Sequence, residues 1–576
     1  MLAPLPVDIH DFMRWSWDQI APYFAELEAR PLTDANAAAW LTDWTALARR
    51  LSETRQRLYV ATTVDNADLA AEDAYNRFLD TIYANQEAAN QRLKEKLLAS
   101  GLEPAGFEVP LRNIRADADL FRDENLPLLI EEHKLVREQE KIQGAQTVSW
   151  KGEDLTLVQM MPRFQGAPRA EREQMWRLVF ERWLEDRDAL NTLWAQMFTL
   201  RTQLAANAGK PDYRAYIWQK NYRFDYSPDD CLRFADAIEA TVVPAARRAY
   251  ARHRARLGVE VLRPWDLGDG WFGRPVETQG ATALKPFVDV AELIDRTGDV
   301  LQRVDPTLGG YYADMREAGL LDLENRKNKS PGGFCTDFSY SGRPFIFMNA
   351  VGQHDDVQTL LHESGHAFHV YETNALAYFQ QQDVTMEIAE VASMSMELLA
   401  APYLAREQGG FYSTHDAARA RIEHLESMLF FWPFMAVVDG FQHWAYSHPQ
   451  DAIVPEACDA AWAGLWQRFI PDIDYSGFEA VRATGWQRKL HIFQFPFYYI
   501  EYGLAQLGAA QVWANSLTDR AGALAAYRRA LSLGATRPLP ELFAAAGAQL
   551  AFDAETLGRS VALIEQTLEA LAGQVD

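Results

Sequence analysis

Apolar residues recur at intervals of three and four along most of this chain. Trp176, Val179, Phe180, Trp183, Leu184, Leu190, Leu193, Trp194 and Met197 show the pattern, and that period lines one face of a helix. It predicts a mainly α fold. Strand-like alternation is confined to residues 147–158 and to residues 329–349, where aromatic and β-branched side chains surround Ser341-Gly342. The second stretch reads as a hairpin turning at Ser-Gly. Residues 428–438 form the most hydrophobic run but are too few for a bilayer span and contain Pro433, so they read as a core helix pair interrupted at the proline. The stop signal Ala208-Gly209-Lys210-Pro211-Asp212 divides the chain into an N-terminal helical lobe, 1–208, and a second region, 209–576.

The second region carries the chemistry. His362-Glu363-Ser364-Gly365-His366 places two imidazoles at i and i+4, on one face of a helix and one turn apart, with a carboxylate between them. Two such imidazoles can share one Zn²⁺ at about 2.0–2.1 Å, and the carboxylate can take a proton from water and return it to a leaving amine. With 12 His in 576 residues, chance gives on the order of 0.02 such pentapeptides. Val357, Leu360, Leu361, Ala367, Phe368 and Val370 supply apolar surface around the motif, and Asp355 with Gln358 resembles a capping pair at the helix start. Gly365 is the discordant residue, since glycine inside a helix costs about 0.5–1 kcal/mol relative to alanine. Close packing beneath the motif would account for it.

A catalytic zinc needs one further protein ligand and an open position. Residues 384–399 read as a second helix without Gly or Pro, on which Glu387, Glu390 and Glu397 share one stripe. Spacing does not choose among them, and Asp383 and His369 are formal alternatives.

His-Glu-Ser-Gly-His-Ala-Phe-His followed by Glu-Ile-Ala-Glu-Val-Ala-Ser resembles the M3 family of zinc oligopeptidases, in particular its oligoendopeptidase F-like branch. The resemblance extends to Lys329-Ser330-Pro331-Gly332-Gly333-Phe334-Cys335, to Pro344-Phe345-Ile346-Phe347-Met348-Asn349, and to His491 with the tyrosine-rich stretch ending at Gly503. It implies His362, His366 and Glu390 as ligands of one Zn²⁺ per chain, Glu390 falling 28 residues after His362. It implies Glu363 as general base and acid. Glu397 is then the carboxylate that orients a ligand histidine, as metal-bound imidazoles commonly require. His491, Tyr498 and Tyr502 are the implied donors to the oxyanion of the tetrahedral intermediate, with Tyr499 the alternative to Tyr498. The implied architecture is a two-lobed helical zincin-like metallopeptidase with a small β element beside the catalytic helix.

Composition narrows the setting. The chain is 48% hydrophobic and 24% charged, as ordinary globular proteins are. Its 56 basic and 80 acidic residues give a net charge of −24, which disfavours nucleic acid and anionic membranes as partners. Cys231, Cys335 and Cys458 form no CxxC pair, so neither a disulfide framework nor a thiolate zinc site is expected, and the N-terminus lacks the pattern of a signal peptide. The expected location is cytoplasmic. Cys335, just ahead of the motif helix, is a candidate reactive thiol. The reading is a zinc endopeptidase acting on internal bonds of short oligopeptides. Its rivals are a zinc carboxypeptidase or dipeptidase, with Arg343, Arg482, Arg488 or Lys489 gripping a terminal carboxylate, and a noncatalytic peptide-binding protein.

Overall fold

A computed structural model of the chain describes residues 3–164, 166–276 and 284–575. Its regular structure is overwhelmingly helical. The periodic stretch around Trp176 resolves into two helices, Arg169–Glu185 and Arg187–Asn207, on which Trp176, Trp194 and Met197 are buried. Seven further helices carry the description: α1 (Ala37–Val64), α2 (Pro228–Leu257), α3 (His354–Thr373), α4 (Met386–Ala400), α5 (Thr414–Ser447), α6 (Leu490–Gln494) and α7 (Tyr499–Thr518).

Strands are few. β1 (Thr147–Trp150) and β2 (Glu153–Thr156) pair antiparallel. β3 (Leu321–Glu324), β4 (Phe334–Phe338) and β5 (Arg343–Ala350) form a sheet ordered β3-β5-β4, with β4 antiparallel and β3 parallel to the central β5. The turn between β4 and β5 needs a left-handed residue, and Gly342 provides it at φ +66°. The Lys329 ammonium is buried and donates to the carbonyls of Asp322, Glu324 and Met348, at 2.9, 2.9 and 2.6 Å, tying β3 to β5. On α1, Glu53 accepts the N–H of Ser341 at 2.6 Å and so fixes the hairpin end.

The chain forms two compact units. One comprises residues 1–118, 284–417 and 508–550, the other residues 119–283, 418–507 and 551–576. Both draw on sequence from either side of residue 208, because long-range packing gathers separated stretches of chain.

Residues 428–438 depart from expectation. They lie within the single continuous helix α5, with Pro433 inside it. A mid-helix proline costs about 3 kcal/mol, whereas fully burying one large apolar side chain gains roughly 1.5–3 kcal/mol. Phe430, Trp432, Phe434, Met435, Val437 and Val438 are all buried here, so packing outweighs the lost hydrogen bond. No helix among the described residues is long and apolar enough to cross a membrane.

α5 is held to α2 by buried charge. Glu426 on α5 meets His253 Nε2 at 2.7 Å and Arg274 Nε at 3.0 Å. Burial alone would raise the Glu426 pKa, but the hydrogen bond and charge of His253, with the charge of Arg274, hold it down at about 2. A depressed carboxylate stabilises the fold fully above its unfolded value of 4.5, and that contribution is lost as pH falls through the folded value. Glu426→Gln should therefore cost about 3–5 kcal/mol at neutral pH by stranding the Arg274 guanidinium, His253 being held neutral by its burial, with the deficit shrinking as pH falls below 4.5 towards 2. Denaturant melts of both proteins across that range check this, and a pH-independent difference would contradict it.

Candidate active site

The motif helix α3 starts at a capping box of Gln353 and Asp356, in which an acid of the first turn reaches back to the N–H groups ahead of the helix. That acid is Asp356, whose Oδ2 accepts the N–H groups of Val351, Gly352 and Gln353 at 2.8–2.9 Å. The expected pair of Asp355 and Gln358 does not do this; the helix begins at His354, two residues earlier than that pair implies.

α4 crosses α3 at Gly365. A Cβ built on Gly365 would stand 2.5 Å from the Ala392 carbonyl oxygen and 2.5 Å from Ser393 Cα. Any side chain there would drive the helices apart, so the glycine serves close approach. Tyr527 secures the crossing, its hydroxyl donating to the Ala392 carbonyl at 2.8 Å.

This crossing brings the candidate ligands together. Glu390 Oε2 lies 3.3 Å from His362 Nε2 and 3.7 Å from His366 Nε2. Donor atoms of the three residues all fall within 4.8 Å of one another. A tetrahedral shell with bonds of about 2.0–2.1 Å has edges of about 3.3–3.4 Å, so two imidazoles and a carboxylate at these distances fit a Zn²⁺. Glu397 Oε1 sits 2.7 Å from His362 Nδ1, which leaves Nε2 as the nitrogen turned toward Glu390. Glu387 is buried on the same helix and, among the described residues, belongs to no such group. His369 is buried one turn beyond His366, and burial pushes its pKa down to about 3.

Ser393 was not singled out by sequence reasoning. Fully buried, it donates to Glu390 Oε2 at 3.0 Å and so fixes the carboxylate's rotamer. The only signal for it is its position one turn after Glu390 on the acid-bearing helix.

Electrostatics separate the acids. Burial pushes Glu363 up to about 7, with the charge of His362 opposing, and its carboxylate accepts the backbone N–H of Cys335. Burial would raise Glu390 too, but hydrogen bonds from His362 and Ser393 and the charges of both histidines hold it below its ordinary value. Burial brings His366 down to about 4, whereas for His362 the burial is outweighed by the hydrogen bonds and charges of Glu390 and Glu397, which raise it well above its ordinary value. Cys335 is no activated thiolate: burial, with the Glu363 charge beside it, raises its pKa well above the ordinary value.

The second unit holds the remaining candidates. His491 is on the short helix α6. Its ring centroid is 5.8 Å from that of Tyr498 and 6.5 Å from that of Tyr502, and the two tyrosine rings are 5.0 Å apart. All three side chains keep partial exposure. Tyr499, the alternative to Tyr498, is buried against Phe431 and Phe434, with its ring 4.8 Å from that of His491. The turn before α7 holds Phe497 at φ +62°. Arg223 donates to the Phe497 carbonyl at 2.6 Å, and the Phe497 N–H reaches Gln442 Oε1 at 2.7 Å.

The sequence profile of peptidase family M3 matches residues 165–560. The chain is similar to an oligoendopeptidase F homolog of Borreliella burgdorferi, at 23% identity over 46% of this chain, and the match spans 44% of that relative's length. Among solved structures it superimposes on an oligoendopeptidase F with a TM-score of 0.85 at 27% identity, covering 98% of both chains. It superimposes on PZ peptidase A with an inhibitor at a TM-score of 0.83 and 26% identity, covering 100% of this chain and 99% of that one.

Gly365→Ala should lower zinc retention and thermal stability together, because the added methyl displaces the helix carrying Glu390. Glu397→Gln should weaken zinc affinity by about 10–100-fold without unfolding the chain. Metal analysis after dialysis against a graded chelator measures both, and wild-type retention in either variant would contradict its assigned role.

Proposed function

The chain belongs to peptidase family M3, and from that premise we propose that it is a zinc-dependent endopeptidase hydrolysing internal bonds of short oligopeptides in the cytosol. The observation that carries the reading is the convergence of His362, His366 and Glu390 next to Glu363 on the same helix. His362, His366 and Glu390 would hold the metal, one per chain at this site, and Glu397 would orient His362. A bound Zn²⁺ would supply Lewis acidity toward the scissile carbonyl and acidify a water molecule.

Glu363 does the proton work. A carboxylate raised to about 7 is basic enough to accept a proton from attacking water near neutrality and acidic enough to deliver it to the departing amine. No covalent acyl-enzyme is needed. β4 is an edge of its sheet, and its Cys335 N–H meets the Glu363 carboxylate. An extended peptide adding to such an edge would be held by main-chain hydrogen bonds that tolerate many side chains. His491, Tyr498 and Tyr502 are the proposed donors to the oxyanion. Support for them is the family resemblance of their segment and the grouping of three partly exposed polar side chains.

A carboxypeptidase would need a cation free to take a terminal carboxylate. Of the four candidates, Arg343 pairs with Asp314 at 2.6 Å and the Arg488 guanidinium stacks 3.1 Å over the Trp271 ring, which leaves Arg482 and Lys489, the latter 4.3 Å over the Tyr499 ring, as the cations that reading would use. A noncatalytic binding protein would have no use for the complete set of Glu363, His362, His366 and Glu390.

Glu363→Gln should retain zinc yet lose most turnover, whereas Glu390→Gln should lose zinc itself. Equal metal content and equal residual activity in the two variants would refute the division of roles. Tyr502→Phe should keep its zinc and KM while kcat falls by about 10²–10³-fold, since the donated hydrogen bond strengthens mainly in the transition state. Near-wild-type kcat would assign this tyrosine to packing.

A further inference from the structure

Cys231, Asp439 and His443 meet inside the second unit, contributed by the first turns of α2 and by the later half of α5. Their relative exposures are 1%, 3% and 3%, and one donor atom from each lies within 4.8 Å of the others. Three polar atoms here have no hydrogen-bond partner among the described residues: Asp439 Oδ1, His443 Nδ1 and His443 Nε2. Nε2 is 3.2 Å from Asp439 Oδ2, close enough for charge attraction but not aligned as a hydrogen bond.

A bare Asp–His ion pair explains this cluster poorly. It leaves the second imidazole nitrogen and a carboxylate oxygen desolvated without return, beside a Cys231 thiol that donates to the Ser227 carbonyl at 3.5 Å. The rings of Phe497 and Trp218, 5.0 and 5.7 Å from the His443 ring, make that side of the cluster apolar. A divalent metal resolves both problems. Thiolate, carboxylate and neutral imidazole with Zn²⁺ sum to zero charge, so the occupied site can be buried without an uncompensated ion. Soft sulfur with imidazole and carboxylate selects zinc over calcium or magnesium.

We infer that Cys231, Asp439 and His443 form a second, structural zinc site, separate from His362, His366 and Glu390. Binding displaces the thiol proton of Cys231 to solvent and leaves one coordination position for a trapped water. Bond lengths of about 2.3 Å to sulfur and about 2.0–2.2 Å to nitrogen and oxygen require only rotamer-scale closure of the cluster. The residues are far apart in sequence, so no spacing motif reveals them. The site lies behind the turn at Phe497, whose N–H is held by Gln442, the neighbour of His443. Metal there would brace the chain entering α7.

Cobalt(II) titration of the metal-free full chain tests this, because a cysteine thiolate on cobalt gives a near-ultraviolet charge-transfer band that nitrogen and oxygen ligands do not. Wild type should bind two equivalents and show the band. Cys231→Ser should bind one equivalent without the band, and His443→Gln should likewise drop to one. A His362→Ala, His366→Ala double variant should bind one equivalent and keep the band, which tests the second site even if Cys231→Ser does not fold. One equivalent in wild type with no band, or a band that survives in Cys231→Ser, would overturn the proposal.

Discussion

Two helices can cross with their backbones nearly in contact only where one of them lacks a side chain. Gly365 meets that condition against Ala392 and Ser393, where a Cβ would lie 2.5 Å from backbone atoms. Glycine costs α3 about 0.5–1 kcal/mol of helix stability, and close approach is what that cost secures. From α4, Glu390 then reaches the Nε2 atoms of both histidines, while Glu397, about two turns further along, reaches the opposite nitrogen of His362. One rigid helix thus delivers a candidate ligand and the acid that orients its neighbour. A shift of an ångström between the helices would spoil both contacts at once.

The same packing holds two carboxylates in different states. Glu390 gains hydrogen bonds from His362 and Ser393 and stays a strong acid. Glu363 is buried with less compensation and is raised to about 7. A ligand should be ionised across the working pH, and a group that must take and give a proton should titrate near it. The environments supply those two states on residues that look alike in the sequence.

Much of this was legible in the sequence because it depends on local spacing. The i, i+4 histidines, the helices around them and the Ser341-Gly342 hairpin follow from periodicity and turn chemistry. Glu390 was not separable from Glu387 or Glu397 by spacing, since which acid meets the histidines is decided by where α4 crosses α3. Gly365 was visible as an anomaly whose cause lies entirely in tertiary contact. Pro433 misled for a related reason: a local rule breaks the helix, and burial on all sides of α5 holds it together. The start of α3 was misplaced because Gln353 with Asp356 and Asp355 with Gln358 share the i, i+3 spacing of a capping pair.

The central claim is that this arrangement cleaves peptides within the chain rather than from its end. The most direct measurement is mass-spectrometric mapping of cuts in short peptides blocked at both termini, incubated with the purified zinc-loaded protein and with its Glu363→Gln variant. Internal cuts by the wild type that are lost in the variant are the predicted result. Cleavage only after the C-terminus is unblocked, or equal cleavage by both proteins, would contradict the account.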